Sequence, residues 1–139
     1  MGTWAAGPFD NDTAADWSGD LDEAAPEERP ALVERALRTV LDEPDHLDSD
    51  LGVEAVAAAA VVVAHLPGAF PVDSPYAPDF LTAGTRLDLP ERLRPLAVRA
   101  LDRVVADDSE LAELWAEAGE PNEFLVEVAR LRAALVASA

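Results

Sequence analysis

Cysteine and lysine are both absent from this sequence of 139 residues. Without thiols the chain forms no disulfide, no thiolate metal site and no cysteine nucleophile. Only two histidines are present, so a zinc site would have to recruit carboxylates.

The most apolar run, Ala55–Ala64, is too short to cross a membrane, because a membrane-spanning helix needs about 20 residues. Residues 1–10 carry no base, so we expect no signal peptide and predict a cytoplasmic protein that does not enter membranes.

The charges are very unequal, with 28 acidic side chains against 10 arginines and a net charge of −18. Phosphate groups repel such a chain, which argues against binding to nucleic acid or to anionic membranes. Half of the residues are hydrophobic, too many for a disordered acidic chain. The length suits one domain, so residues 1–139 are predicted to form a single helical domain.

Apolar residues recur at helical spacing, and no segment alternates like a strand. The pattern predicts an all-α fold, a single compact bundle of five or six helices. Its centre is the Ala- and Val-rich helix Leu51–Leu66, which is apolar almost all round and has Asp50 as its predicted cap. Pro95 is expected to interrupt a later helix, whose main part would be Leu96–Ala106. The inner face of the last helix is predicted to hold Phe124, Leu125, Val128, Leu131, Leu135 and Val136.

Two segments lack the apolar spacing of a helix. Residues 1–12 form a leader that we expect to pack on the bundle. Residues 68–87 form a long irregular loop, in which Phe70, Tyr76 and Phe80 alternate with prolines. Loops of this length are uncommon in compact domains and are often functional or disordered. The aromatic residues favour a loop held against the core.

The opening of the chain carries a distinctive pattern of glycine, aromatic and Asx residues. It comprises Gly2, Trp4, Gly7, Phe9, Asp10, Asn11, Asp12, Ala14, Asp16 and Trp17. This pattern resembles the opening of the bacterial domain of unknown function (DUF) 4259 family, with Ala5 where a glycine is usual. Residues 94–101 and 108–115 also resemble the family. The resemblance implies a small bacterial cytoplasmic protein and no established activity. The lysine-free composition is similar to proteins of high-GC actinobacteria.

Two acidic segments are candidate cation sites. Asp10, Asn11, Asp12 and Asp16 supply oxygens that Ca²⁺ or Mg²⁺ would accept, although capping the first helix also explains them. The turn Asp45–Asp50 is similar to a calcium loop but departs from the pattern at Gly52 and Ala59. Whether either segment binds a cation stays open. We predict no catalytic residue, no cofactor and no metal.

Residues 86–103 are the basic part of the chain, with five arginines against three acids. We expect these arginines to pair inside the fold with the acidic leader and with the turn Asp45–Asp50. The alternative is a site for an anionic ligand, which arginine forks suit. In that case Tyr76, Arg99 and Arg103 would contact the ligand.

The charge favours a non-enzymatic acidic binding protein for a basic protein partner, because an acidic field accelerates association with cations. A toxin-neutralising immunity protein is one version of this function. The alternative is a small-ligand-binding protein or an enzyme, using a cleft between loop 68–87 and the arginine-rich helix 88–106. Monomer and homodimer both stay open. The predicted contact residues are Trp4, Asp10, Asn11, Asp12, Asp16, Tyr76, Arg99 and Arg103.

Overall fold

Six α-helices make up most of the chain that the computed structural model describes, which is residues 12–43, 47–65, 89–106, 108–117 and 123–137. They are α1 (Asp12–Glu23), α2 (Arg29–Leu41), α3 (Ser49–Ala64), α4 (Leu93–Val104), α5 (Glu110–Glu117) and α6 (Glu123–Ala137). A 3₁₀ turn, Pro26–Glu28, leads into α2. The predicted all-α bundle is confirmed. The predicted packing of leader residues 1–11 and of loop 68–87 lies outside the described residues.

Helix α3 is the centre of the bundle, as predicted. It contacts α1, α2, α4, α5 and α6, and every residue from Ala55 to Val63 is buried. Its alanines have short side chains, so the surrounding helices can approach closely. The predicted cap is wrong by two residues. Asp48 is the N-cap, and its Oδ1 accepts a hydrogen bond of 2.8 Å from the backbone N–H of Asp50.

Helix α4 starts earlier than the sequence predicted. Pro95 was expected to interrupt the helix, yet α4 begins at Leu93 and continues through the proline. Pro95 is the third residue of the helix, and backbone N–H groups in the first turn have no partner within the helix. A missing N–H there costs little, so the proline is compatible with an unbroken α4.

Helix α6 buries a narrower stripe than expected. Val128, Leu131 and Leu135 are buried, but Leu125 is 46% exposed and Val136 is 51% exposed. The prediction for Leu125 and Val136 is therefore wrong. At 3.6 residues per turn, both side chains lie roughly a quarter turn around the helix from the buried stripe. Phe124 has its side chain outside the described part of the structure.

A short backbone pairing connects the segment before α3 to the start of α5. The N–H of Leu47 donates to the carbonyl of Asp108 at 2.7 Å, and the N–H of Glu110 donates to the carbonyl of Leu47 at 2.8 Å. The side chain of Leu47 is fully buried. This pairing holds the N-terminal end of α3 against the start of α5.

Candidate functional site

The predicted contact residues are only partly within the described chain. Trp4, Asp10, Asn11 and Tyr76 lie outside the described residues, and so does the side chain of Asp12. Asp16 is exposed on α1, and Arg99 is exposed on α4. Arg103 is different, because its side chain is only 14% exposed and its Nη1 is 2.8 Å from Oδ1 of Asp108. The structure thus gives Arg99 and Arg103 different surroundings, although they are one helical turn apart.

Most arginines at the start of α4 form ion pairs with nearby acids. Arg92 donates to both carboxylate oxygens of Glu34 on α2, at 3.2 and 2.9 Å, and Arg38 reaches the same carboxylate at 2.7 Å. These hydrogen bonds hold the pKa of Glu34 below its ordinary value of 4.5. Arg94 pairs with Glu91 at 3.3 Å. Internal pairing is therefore present, with Glu34 for Arg92 and Glu91 for Arg94. The leader acids Asp10 and Asp12 and the turn residue Asp45, also predicted as partners, have their side chains outside the described part of the chain.

A group of carboxylates on α1 and α3 has no ion-pair partner within the described residues. We call Asp16, Asp20, Asp50 and Glu54 the acidic face. The first two are one turn apart on α1, and the last two are one turn apart on α3. The hydroxyl of Thr13 donates to Oδ1 of Asp50 at 3.2 Å, which brings the starts of the two helices together. The bundle therefore presents carboxylates from two neighbouring helices, α1 and α3.

Beside the acidic face, α1, α2 and α3 enclose a solvent-open cleft of about 360 Å³, which we call the Trp17 cleft. Small-ligand pockets begin at about this size. Leu21, Leu32, Ala36 and Leu51 supply its apolar surface, and Trp17 adds an aromatic wall. The polar lining consists of Asp20, Arg35, Thr39 and Glu54.

The walls of the cleft are fixed by contacts at the end of α1. Arg29, the first residue of α2, donates from Nε to the carbonyl of Leu21 at 2.9 Å and from Nη2 to the carbonyl of Asp22 at 2.7 Å. These carbonyls belong to the last turn of α1, where no further helical N–H is available to bond them. The guanidinium therefore both caps α1 and joins it to α2.

Glu54 is the most perturbed group of the cleft. It is half-buried, and its pKa is raised above the ordinary 4.5, first by burial and then by the negative charges of Asp50 and Asp20. The part of the cleft formed by α2 carries Arg35, which is exposed and has no ion-pair partner among the described residues. An incoming cation would relieve the repulsion on Glu54.

The acidic face is not arranged like a metal centre. Among the described residues, no three or more His, Asp or Glu side chains converge closely enough to hold a metal ion. The carboxylates instead spread along two helices. The carboxylates of Asp10, Asp12 and Asp45 lie outside the described part of the chain, whereas those of Asp48 and Asp50 are within it.

Three polar residues that line the cleft, Arg35, Thr39 and Glu54, are not among the predicted contact residues. One signal was available for Glu54, because it is the only charged residue between Leu51 and Ala64 in an otherwise apolar helix. Trp17 is part of the opening pattern but is not among the predicted contact residues. No local pattern indicates that Arg35 and Thr39 face Trp17, because they meet only when α2 packs beside α1.

The described chain is thus an all-helical bundle with an acidic face and an open cleft beside it. The protein belongs to the family described as Domain of unknown function (DUF4259), whose model matches residues 2–127. This confirms the family resemblance of the opening residues. Neither the curated proteins nor the solved structures contain a significant match to the chain. None of the described helices is both long enough and apolar enough to cross a membrane.

Proposed function

We propose that this protein is a non-enzymatic binding protein that uses its acidic face to bind a basic protein partner. The observation that supports the proposal is the distribution of ion pairs. Arginines neutralise Glu34, Glu91, Asp102 and Asp108, while the acidic face has no such counter-ion in the described chain. Unpaired carboxylates of one sign attract cations and repel acidic proteins.

The adjoining Trp17 cleft adds a second support. A charged surface alone accelerates association, but stable interfaces also bury anchor side chains, arginine among them, in pockets. The acidic face has such a pocket beside it, with Trp17 on its wall. A toxin-neutralising immunity protein, acting in the cytoplasm of an actinobacterium, is the concrete version that we propose. The cleft predicted between loop 68–87 and α4 is not part of this proposal, since Arg103 is already engaged by Asp108.

The test compares two variants of equal charge. The face variant carries Asp16→Asn, Asp20→Asn and Glu54→Gln. The control carries Glu27→Gln, Asp42→Asn and Glu117→Gln, three exposed acids that do not line the cleft. Both variants have three fewer negative charges than the natural chain. Each immobilised protein is exposed to the same host lysate, and the recovered proteins are identified and quantified by mass spectrometry.

We expect the natural chain and the control to recover the same basic protein, and the face variant to lose it. The loss should be about tenfold or more if the face holds the centre of the interface. Equal recovery by the face variant and the control would mean that only the overall charge matters. Recovery of acidic proteins alone would also contradict the proposal.

A further inference from the structure

We infer that the Trp17 cleft receives a single lysine or arginine side chain from the basic partner. This inference rests on the proposed function and adds to it the chemistry of the anchor residue. It follows from three properties of the cleft, namely its apolar lining, the position of its carboxylates and the position of Arg35.

The apolar lining suits the hydrocarbon stem of a long basic side chain. Lysine and arginine carry three or four methylene groups, which pack along apolar surface while the charged end stays near polar groups. Leu32, Ala36 and Leu51 provide such a surface. Trp17 stands beside them, and tryptophan is the best aromatic partner for a cation over its ring face. The volume of about 360 Å³ is enough for one such side chain and part of its backbone.

The carboxylates of the cleft come from two of its three helices. Asp20 and Glu54 line it from α1 and α3, and Asp50 lies close enough to raise the pKa of Glu54 further. A cation placed between these two helices interacts favourably with all three. Glu54 is half-buried, so its attraction to a cation is less screened by water than that of a fully exposed acid.

Arg35 lines the cleft from α2, and its charge disfavours a cation beside that helix. Its guanidinium instead offers donors to a backbone carbonyl or carboxylate of the entering chain. The cleft therefore accepts one positive group near α1 and α3, with acceptor atoms near α2. A neutral apolar side chain would leave the carboxylates without a partner.

The experiment uses a defined probe, because the partner is unidentified. Acetyl-Gly-Lys-Gly-amide, its arginine analogue and its norleucine analogue are titrated into the natural chain. Binding is followed by the indole N–H resonance of Trp17 in NMR spectra, assigned with Trp17→Phe. We expect the lysine and arginine peptides to shift this resonance saturably and the norleucine peptide to leave it unchanged. Equal shifts with norleucine would overturn the inference.

A charge-neutral variant tests whether the cation enters the cleft itself. Ala36→Met places a longer side chain into the cleft, and Thr39→Met does so from a half-buried position that disturbs the core less. Ala31→Met is the control, since Ala31 is exposed on the same helix and does not line the cleft. Circular dichroism melting checks that each variant folds.

We expect Ala36→Met and Thr39→Met to weaken lysine-peptide binding about tenfold or more, and Ala31→Met to leave it unchanged. Unchanged binding in a folded cleft-filling variant would refute the inference. The two proposals fail separately. If the face variant loses the partner while no peptide shifts the Trp17 resonance, the acidic surface binds without this anchor. If the lysine peptide fills the cleft but the face variant keeps the partner, the proposed function is wrong.

Discussion

Replacing Gly19 by alanine should stabilise the protein. Gly19 is the eighth residue of α1, and a Cβ built on it meets no atom within 4 Å. The alanine therefore introduces no clash. It removes the backbone freedom that makes glycine unfavourable within a helix, partly by restricting the unfolded chain.

The expected gain follows from helix propensity. Alanine is about 0.8–1.0 kcal/mol more favourable than glycine in a helix interior. For a domain of this size, about 1 kcal/mol corresponds to a rise of about 3–4 °C in melting temperature. The assay is urea unfolding of the natural chain and the Gly19→Ala variant, followed by circular dichroism, with thermal melting as a second measure.

Gly52 provides the matched control, because it is also a helical glycine but is packed tightly. A Cβ there would lie 3.3 Å from Cδ2 and 3.4 Å from Cβ of Leu111, and 3.7 Å from Cγ1 of Val104. Leu111 is buried on α5 and has little room to move. Gly52 is also in the first turn of α3, where the gain in propensity is smaller. We expect Gly52→Ala to be about 1 kcal/mol or more less favourable than Gly19→Ala.

An unfolding free energy that Gly19→Ala leaves unchanged or lowers would contradict this prediction. An unchanged value would mean that α1 around Gly19 does not unfold together with the bundle. Equal gains at Gly19 and Gly52 would mean that α3 and α5 are not as close as described.

Two further predictions concern α6 and the cleft. Leu131→Ala should cost about 2–5 kcal/mol of stability, because the side chain is fully buried, while Val126→Ala on the same helix should change it by less than about 0.5 kcal/mol, because Val126 is 66% exposed. Urea unfolding measures both, and similar costs would contradict the described face of α6. The pKa of Glu54 is raised, so this side chain holds its proton more tightly in the folded chain than in the unfolded chain. The free energy of unfolding therefore falls as pH rises from about 4.5 through the raised pKa of the folded state. Glu54→Gln cannot ionise and should show a smaller fall over this window, whereas equal pH profiles would count against the burial of Glu54.

The arginines illustrate how much a charge pattern can predict. The density of arginines in residues 86–103 indicated that they pair inside the fold, and pairs are present. Their partners were not predictable, because Arg92 meets Glu34 across 58 residues of chain. An arginine is attracted about equally to any carboxylate near it. The packing of α4 against α2 therefore decides which carboxylate Arg92 contacts.

Helix α6 also shows what a sequence pattern predicts and what it leaves undecided. Its apolar spacing predicted a helix with a buried stripe, and Val128, Leu131 and Leu135 occupy that stripe. Spacing alone does not indicate how wide the covered surface is. The width depends on how many helices pack against α6, and here Leu125 and Val136 are left partly in water.

Periodicity along the chain was sufficient to predict the helices and the central position of α3, because a helix buries residues at fixed intervals and an all-apolar helix must be surrounded. Which carboxylates remain unpaired, and the cleft where Trp17, Arg35 and Glu54 meet, came from the packing of three helices that are separate in the chain. Contacts between distant segments depend on helix orientation and depth of packing. Neither quantity is encoded in the residues of any one segment.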